Sequence, residues 1–176
     1  MSDVRTIRAL VEPLSNDRVL VSKDAVAYYE ALQQFLVAEA VGDGESGEAG
    51  EVGEVGEAES DPVVVGFGAL HVLWEDLAEV RTLATDPAYR RQGIGHLLLE
   101  ALLDKARDLG VHRVFCLTFE VPFFVAHGFA AIEGTPVEPE VYAQLLRSYD
   151  EGVAEFLDLD RVKPNTLGNT RMMRVL

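Results

Sequence analysis

Residues 78–98 read AEVRTLATDPAYRRQGIGHLL, and three kinds of local order follow one another within them. Ala78 to Thr85 predicts a strand, which Asp86 and Pro87 end. Beyond Arg90 to Gly95, RRQGIG, the apolar residues Leu98, Leu102, Ala106 and Leu109 recur at helical spacing and Gly110 supplies a stop, so Gly93 to Leu109 predicts a long helix. A strand, a turn and a glycine-bearing loop that opens a helix present unpaired backbone N–H groups and the positive end of a helix dipole to an anion. Gly93 and Gly95 remove side chains where a phosphate must come close. GIGHLL lacks the third glycine of a dinucleotide fingerprint and GxxxxGK is absent, which excludes Rossmann and P-loop readings.

Outward from this stretch, Val63 to Leu73 is a β-branched and apolar run holding Gly66 and Gly68, as suits a central strand on which something packs closely. It is expected to pair with a strand over Phe35 to Glu39. Asp24 to Leu32 predicts a helix with Asp24 at its cap, and Asp3 to Ile7 predicts a short strand. Downstream, Val111 to Thr118 reads as a strand, Pro122 to His127 as a short helix closed by Gly128, and Phe129 to Ile132 as a strand. Pro139 to Ser148 reads as a helix and Arg171 to Val175 as a last strand. Asp150 to Pro164 receives no assignment. The expected class is α/β (α+β) in a single domain over residues 1–176.

A chain of 176 residues is long enough to bury one core. No apolar run approaches the roughly 20 residues of a membrane helix, and MSDVRTIRAL has no signal-peptide core, so no membrane partner and a cytoplasmic location are expected. The net charge of −15 argues against nucleic acid as a partner, since phosphate binding needs clustered cations. Eight of the acidic residues, and no basic ones, lie between Gly42 and Asp61, leaving −7 on the rest. That stretch, residues 42–61, contains five GEx triplets from Gly44 to Ala58 and is read as a disordered acidic loop between two strands. The single cysteine, Cys116, excludes an internal disulfide, and His71, His96, His112 and His127 are scattered along the chain, so no metal is implied.

Arg90 to Gly95, following LATDPAYR, resembles the acetyl-CoA signature of the GNAT N-acetyltransferase superfamily. LVSKDAV, VGFGALHV, AEVRTLATDPAYRRQGIG, HRVFCLTFEVPFFVAHGF and GNTRMMRVL have counterparts, in this order, in the acetyltransferase domain of bacterial N-acetylglutamate synthases, and the chain looks most like their short stand-alone form. The resemblance implies the GNAT fold, a mixed and mostly antiparallel central sheet flanked by helices, with acetyl-CoA as co-substrate. It implies coenzyme contacts at Leu83, Thr85, Arg91, Gln92, Gly93, Gly95 and His96. Many family members place a tyrosine acid where this chain has Phe124, which carries no proton to give. The long synthases also have a kinase-like domain that carries arginine feedback and has no counterpart in these residues, so arginine inhibition is expected to be absent or to use another site.

Acetyl transfer needs a neutral amine, so a base or a water relay must take a proton from the acceptor. Glu79 is the candidate, with pairing to Arg81 as the alternative role. The backbone N–H of Leu83 is the candidate donor to the oxyanion. Period-two alternation puts Glu79, Arg81 and Leu83 on one face of their strand. Cys116 reads as a buried strand residue and Phe123 and Phe124 as core. A dicarboxylate acceptor needs local cations, for which Arg81 and Lys163 are candidates, and the resemblance to the synthases implies acceptor contacts at Lys23 and, in GNTRMM, at Asn169, Thr170 and Arg171. The expected reaction acetylates the α-amino group of L-glutamate. The alternatives are glutamine or another amine as acceptor, and a non-catalytic acetyl-CoA-binding regulatory module. A homodimer is left open.

Overall fold

A computed structural model describes residues 3–16, 24–41, 62–159 and 168–176. In chain order these form α1 (Asp3–Asn16), α2 (Ala25–Glu30), β1 (Phe35–Ala40), β2 (Val63–Trp74), β3 (Leu77–Thr85) and α3 (Ile94–Asp108). Then come β4 (Arg113–Thr118), α4 (Val121–Ala126), β5 (Ala130–Ala131), α5 (Pro139–Leu145), α6 (Glu151–Phe156) and β6 (Thr170–Val175). One six-stranded sheet runs β1-β2-β3-β4-β6-β5, antiparallel throughout except for the parallel pair β3/β4. The predicted pairing of residues 35–39 with the strand after the acidic segment is present as β1 on β2, and the segment connecting them lies outside the described residues.

Three apolar clusters clothe the sheet. On one face, α3 and α4 cover Leu70, Ala78, Val80, Val114 and Cys116, packing Leu99, Leu102, Leu103, Phe124 and Phe129 onto them. The other face carries two separate patches. Val4, Ile7, Val11 and Tyr28 of the first two helices pack on Phe67, while Leu145, Val153, Phe156 and Leu157 pack on Leu73, Leu77 and Phe115. Along β3, Leu77 belongs to the second patch and Ala84 borders the first, which leaves Glu79 and Arg81 between the two oils.

Gly66 and Gly68 fix how close α3 can lie. A Cβ on Gly66 would stand 2.9 Å from Cγ2 of Ile94 and 3.0 Å from Cδ1 of Leu98, and one on Gly68 would stand 2.8 Å from Cδ1 of Leu102. The helix start is therefore seated directly on β2, as the glycines led one to expect.

Two expectations are corrected. Asp3 to Ile7 is the first part of a helix, because Val4, Ile7 and Val11 at helical spacing all bury against Phe67 and Tyr28, and that burial outweighs the strand propensity of the β-branched residues. The unassigned stretch after Asp150 contains α6, whose Val153, Ala154, Phe156 and Leu157 are buried.

Candidate active site

The site is organised by a parting of two strands. Leu77 to Val80 pair with Arg113 to Cys116, and beyond Val80 and Cys116 the ladder between β3 and β4 stops although both strands continue. On its other side β3 bulges at the same level. Between the pairs Ala69/Arg81 and Phe67/Ala84 stands only Gly68 on β2, facing both Thr82 and Leu83. Thr82 adopts φ 56°, a left-handed conformation that costs a β-branched residue about 1–2 kcal/mol. Strain of this kind concentrates where backbone groups are aimed at a ligand.

The bulge corrects the expected alternation. Glu79 and Arg81 share a face, but the extra residue turns Leu83 to the opposite one, where its side chain packs with the cluster under α3 and its Cδ1 stands 2.9 Å from the position of a Cβ on Gly68. Leu83 therefore reaches the parting through its main chain.

The glycine-bearing loop follows β3 and opens α3. The carboxylate of Asp86 accepts from the Ala88 N–H at 2.8 Å and its own N–H donates to the Val65 carbonyl at 2.8 Å, which anchors the turn Pro87–Tyr89 to β2. Arg91 (φ 66°) and Gly93 (φ 81°) are both left-handed, and the chain enters α3 from Gly93 with no capping side chain. The Leu97 N–H bonds back to the Gly93 carbonyl at 3.0 Å, so the amides of Ile94, Gly95 and His96 belong to the uncapped first turn. Conformation explains glycine at 93. At Gly95 an added Cβ would make only ordinary contacts with the Phe123 ring and the Thr85 hydroxyl, at 3.7 Å, so no described residue requires glycine there. Of the predicted coenzyme residues, Thr85, Gly93, Gly95 and His96 thus lie at one helix start, with Arg91 and Gln92 exposed on the loop and Leu83 further along β3, beside Gly68.

On the α6 face sits a buried charge cluster. Glu79 is 4% exposed. Its Oε2 stands 2.9 Å from Nη2 of Arg81, whose Nη1 and Nη2 also donate to Oδ2 and Oδ1 of Asp150 at 3.0 and 3.2 Å. His71, paired with Glu79 across β2/β3, brings Nε2 to 3.7 Å from Oδ2 of Asp150. Asp150 caps α6 by accepting from the Val153 N–H at 3.1 Å. Burial pushes the Asp150 carboxyl up, but the hydrogen bond and charge of Arg81, the Val153 N–H and the charge of His71 outweigh it, and the group titrates below the usual aspartate value. One guanidinium is shared by two carboxylates. Gly152 closes over them: a Cβ there would overlap Oε2 of Glu79 and stand 2.8 Å from its Cδ.

The other predicted substrate residues divide. Lys23 and Lys163 lie outside the described residues. Arg171 donates from Nη1 to the Phe156 carbonyl at 3.2 Å, with Nη2 3.5 Å from Asp158, so it holds the C-terminal end of α6 as Arg81 holds the N-terminal end. Asn169 and Thr170 are half-buried, and Thr170 pairs with Thr118 on the stretch of β4 beyond Cys116, where β4 has parted from β3.

Two groupings had no local signal in the sequence. His71 would face away from Glu79 in a regular hairpin counted outward from the Glu75–Asp76 turn; the register shift between Val72 and Trp74 brings it opposite. His96 and His127, far apart in sequence, meet with Nδ1 and Nε2 2.6 Å apart. The Phe123 carbonyl, 2.7 Å from Nδ1 of His127, can only accept, so in the neutral ring Nδ1–H donates there and Nε2 accepts from Nδ1–H of His96. With Glu100 these rings offer donors within 4.8 Å of one another. Two nitrogens on one zinc stand about 3.3 Å apart, and Glu100 already faces Arg174 at 3.7 Å, so the geometry is that of a hydrogen-bonded imidazole pair. Cys116 is buried on the α3 face, and burial together with the charge of Glu79 raises its thiol well above the cysteine range.

Residues 20–131 match the Acetyltransferase (GNAT) family. An amino-acid acetyltransferase of Mycobacterium tuberculosis is 51% identical over 99% of this chain and 90% of its own length. An amino-acid acetyltransferase of Shewanella oneidensis is 30% identical over 82% of the chain, which spans only 28% of that longer protein. Among solved structures, a Mycobacterium tuberculosis protein in complex with CoA and NLQ superposes with a TM-score of 0.83 at 51% identity, covering 99% of this chain and 95% of that one. The fold is shared with N-acetylglutamate synthase from Neisseria gonorrhoeae complexed with coenzyme A and N-acetyl-glutamate, at a TM-score of 0.70 and 20% identity, over all of this chain and 33% of that one. No helix among the described residues is long and apolar enough to cross a membrane. The parted strands, the uncapped helix start and these likenesses agree: the chain is an acetyltransferase that belongs to the GNAT family.

Proposed function

We infer that this enzyme transfers the acetyl group of acetyl-CoA to the α-amino group of L-glutamate, giving N-acetyl-L-glutamate, the first step of arginine biosynthesis. The observation that carries the reading is the parting of β3 from β4 beyond Val80 and Cys116, bordered on one side by the α3 amides and on the other by a carboxylate, Glu79, that is 4% exposed. A thioester arm lying in the parting would have its pyrophosphate at Arg91, Gln92, Gly93, Gly95 and His96, with Thr85 beside the helix start. Glycine at 95, which no described residue requires, fits the close approach of that phosphate.

The chemistry balances with groups of this chain. The Glu79 carboxylate takes a proton from the acceptor ammonium, directly or through water. The freed amine attacks the thioester carbon, forming C–N while the carbonyl electrons move to oxygen, where the Leu83 N–H donates to the oxyanion. The carbonyl re-forms, C–S breaks, and the departing thiolate takes the proton that the new amide nitrogen sheds through solvent, since Phe124 has none to give. Asn169 and Thr170 offer polar contacts to the acceptor, alongside Lys23, Lys163 and the cluster cations Arg81 and Arg171. The names of the relatives, amino-acid acetyltransferases and an N-acetylglutamate synthase, support an amino-acid acceptor.

A thiol-release assay with acetyl-CoA over a panel of amino acids and simple amines tests this reading. Preference for glutamate is expected. Preference for glutamine or another amine would sink the named acceptor, and coenzyme binding with no transfer would replace the enzyme by a binding module.

A further inference from the structure

We propose that Asp150 is a positioning residue for proton transfer: by taking both arms of the Arg81 guanidinium, it makes Glu79 share that cation, and it seats α6 so that Gly152 lies against the Glu79 carboxylate. The inference rests on the reading of Glu79 as the proton acceptor and goes beyond it, because Asp150 touches neither coenzyme nor acceptor in that scheme.

The geometry supports an electrostatic role besides a structural one. Arg81 makes two hydrogen bonds to Asp150, at 3.0 and 3.2 Å, and one ion-pair contact to Glu79, at 2.9 Å, through the Nη2 it also gives to Asp150. A carboxylate with a guanidinium to itself is stabilised in its charged form and becomes a poorer base; typical shifts are about 1–3 units downward. A second carboxylate on the same cation offsets this and, as a like charge nearby, favours protonation of Glu79. Among the described residues, the charged or titratable groups beside Glu79 include His71 from β2, Arg81 from β3 and Asp150 at the start of α6, and Cys116 of β4, on the opposite face, is near enough for the Glu79 charge to raise its thiol. Cys116 stays a neutral thiol across the working range, and Arg81 stays charged. Of these described neighbours, His71 and Asp150 are the two carboxylate or imidazole groups whose charge can tune Glu79. Asp150, held ionised by Arg81, is the constant one.

Gly152 adds the steric half. Because a Cβ there would overlap Oε2 of Glu79, the carboxylate can lie flat under α6 only when residue 152 is glycine. The same helix is fixed at its other end by Arg171 on the Phe156 carbonyl.

The test is the pH dependence of kcat and kcat/KM, with Asp150→Asn, Asp150→Ser, His71→Gln and Glu79→Gln measured beside the parent enzyme. Asn and Ser both keep an oxygen to cap α6, so the variants retain the helix start while losing the charge and the two-armed hold on Arg81. The acid limb of kcat is expected to move to lower pH by about one unit in both Asp150 variants, with a turnover loss of about tenfold on the plateau, and to disappear in Glu79→Gln. Asp150→Glu should restore the limb. If Glu79→Gln removes the limb while both Asp150 variants leave it in place, the role of Asp150 is overturned and Glu79 stands. If Glu79→Gln keeps the limb, both fall. A limb that vanishes in His71→Gln assigns it to His71 and overturns the proposal as well.

Discussion

Asp150 and Arg81, 69 residues apart in sequence, are joined by two hydrogen bonds of 3.0 and 3.2 Å, and the acid that makes them is also the cap of α6. One side chain thus ties the helix that covers the sheet to the strand that bears the candidate base. The pair is partly buried, with 27% of the Asp150 side chain and 11% of that of Arg81 exposed, so its worth lies between a surface ion pair and a buried one, about 2 kcal/mol. Its pH dependence follows from the sign of the shift. The folded-state value of Asp150 lies below the ordinary 3.8, so the stabilisation is complete above that value and is lost as pH falls through the lower folded one. Denaturant unfolding followed between about pH 5 and pH 2.5 should therefore show a shallower acid loss in Asp150→Asn than in the parent, at lower stability near neutrality. Equal slopes would contradict the pairing.

Gly66→Ala tests how α3 is seated. The added methyl would meet Ile94, Leu98 and the Ala84 carbonyl at 2.9 to 3.2 Å, and the last of these is backbone and cannot swing aside. Overpacking of this kind costs about 1–3 kcal/mol. Displacement of the helix start should also raise KM for acetyl-CoA several-fold while the acceptor KM changes little. A variant with parental stability and coenzyme KM would show that the close packing is dispensable.

Cys116 should resist thiol reagents in the folded protein. It is buried, and burial and the charge of Glu79 both disfavour its thiolate. Reaction with a colorimetric disulfide reagent is expected to be slow in buffer at pH 8 and complete within minutes in denaturant. Fast modification of the native enzyme would mean that the α3 face opens.

Much of this arrangement is legible in the sequence, and the reasons differ from place to place. Gly66 and Gly68 mark close approach and Gly93 a left-handed turn, both local requirements, so the central strand, the loop and α3 fall where a linear reading puts them. α1 was open to the same reading, since Val4, Ile7 and Val11 have helical spacing, but the β-branched residues and Pro13 obscure it. α6 is announced by Asp150 ahead of Val153, Ala154 and Phe156, a cap followed by an apolar turn. The face on which Leu83 lies is not legible, because a single bulge at Thr82 reverses it and no residue type demands that bulge. Nor is the partnership of Arg81 and Asp150, which depends on how α6 folds back over the sheet. Arg81 and Arg171, named as candidate acceptor contacts, also hold the two ends of that helix.

Glu79→Gln separates catalysis from binding. It removes the proton acceptor and keeps the shape, so turnover is expected to fall by about two to four orders of magnitude with KM for acetyl-CoA nearly unchanged. Undiminished turnover across the pH range would take Glu79 out of the mechanism.

The most direct test of the central claim is to incubate the enzyme with acetyl-CoA carrying a 13C-labelled acetyl group and L-glutamate, and to follow the label by NMR. The account predicts that the labelled carbonyl passes from thioester to amide on the α-nitrogen, in step with thiol release. Thiol release with the label appearing as free acetate, or a thioester that persists beside every amino acid offered, would contradict it.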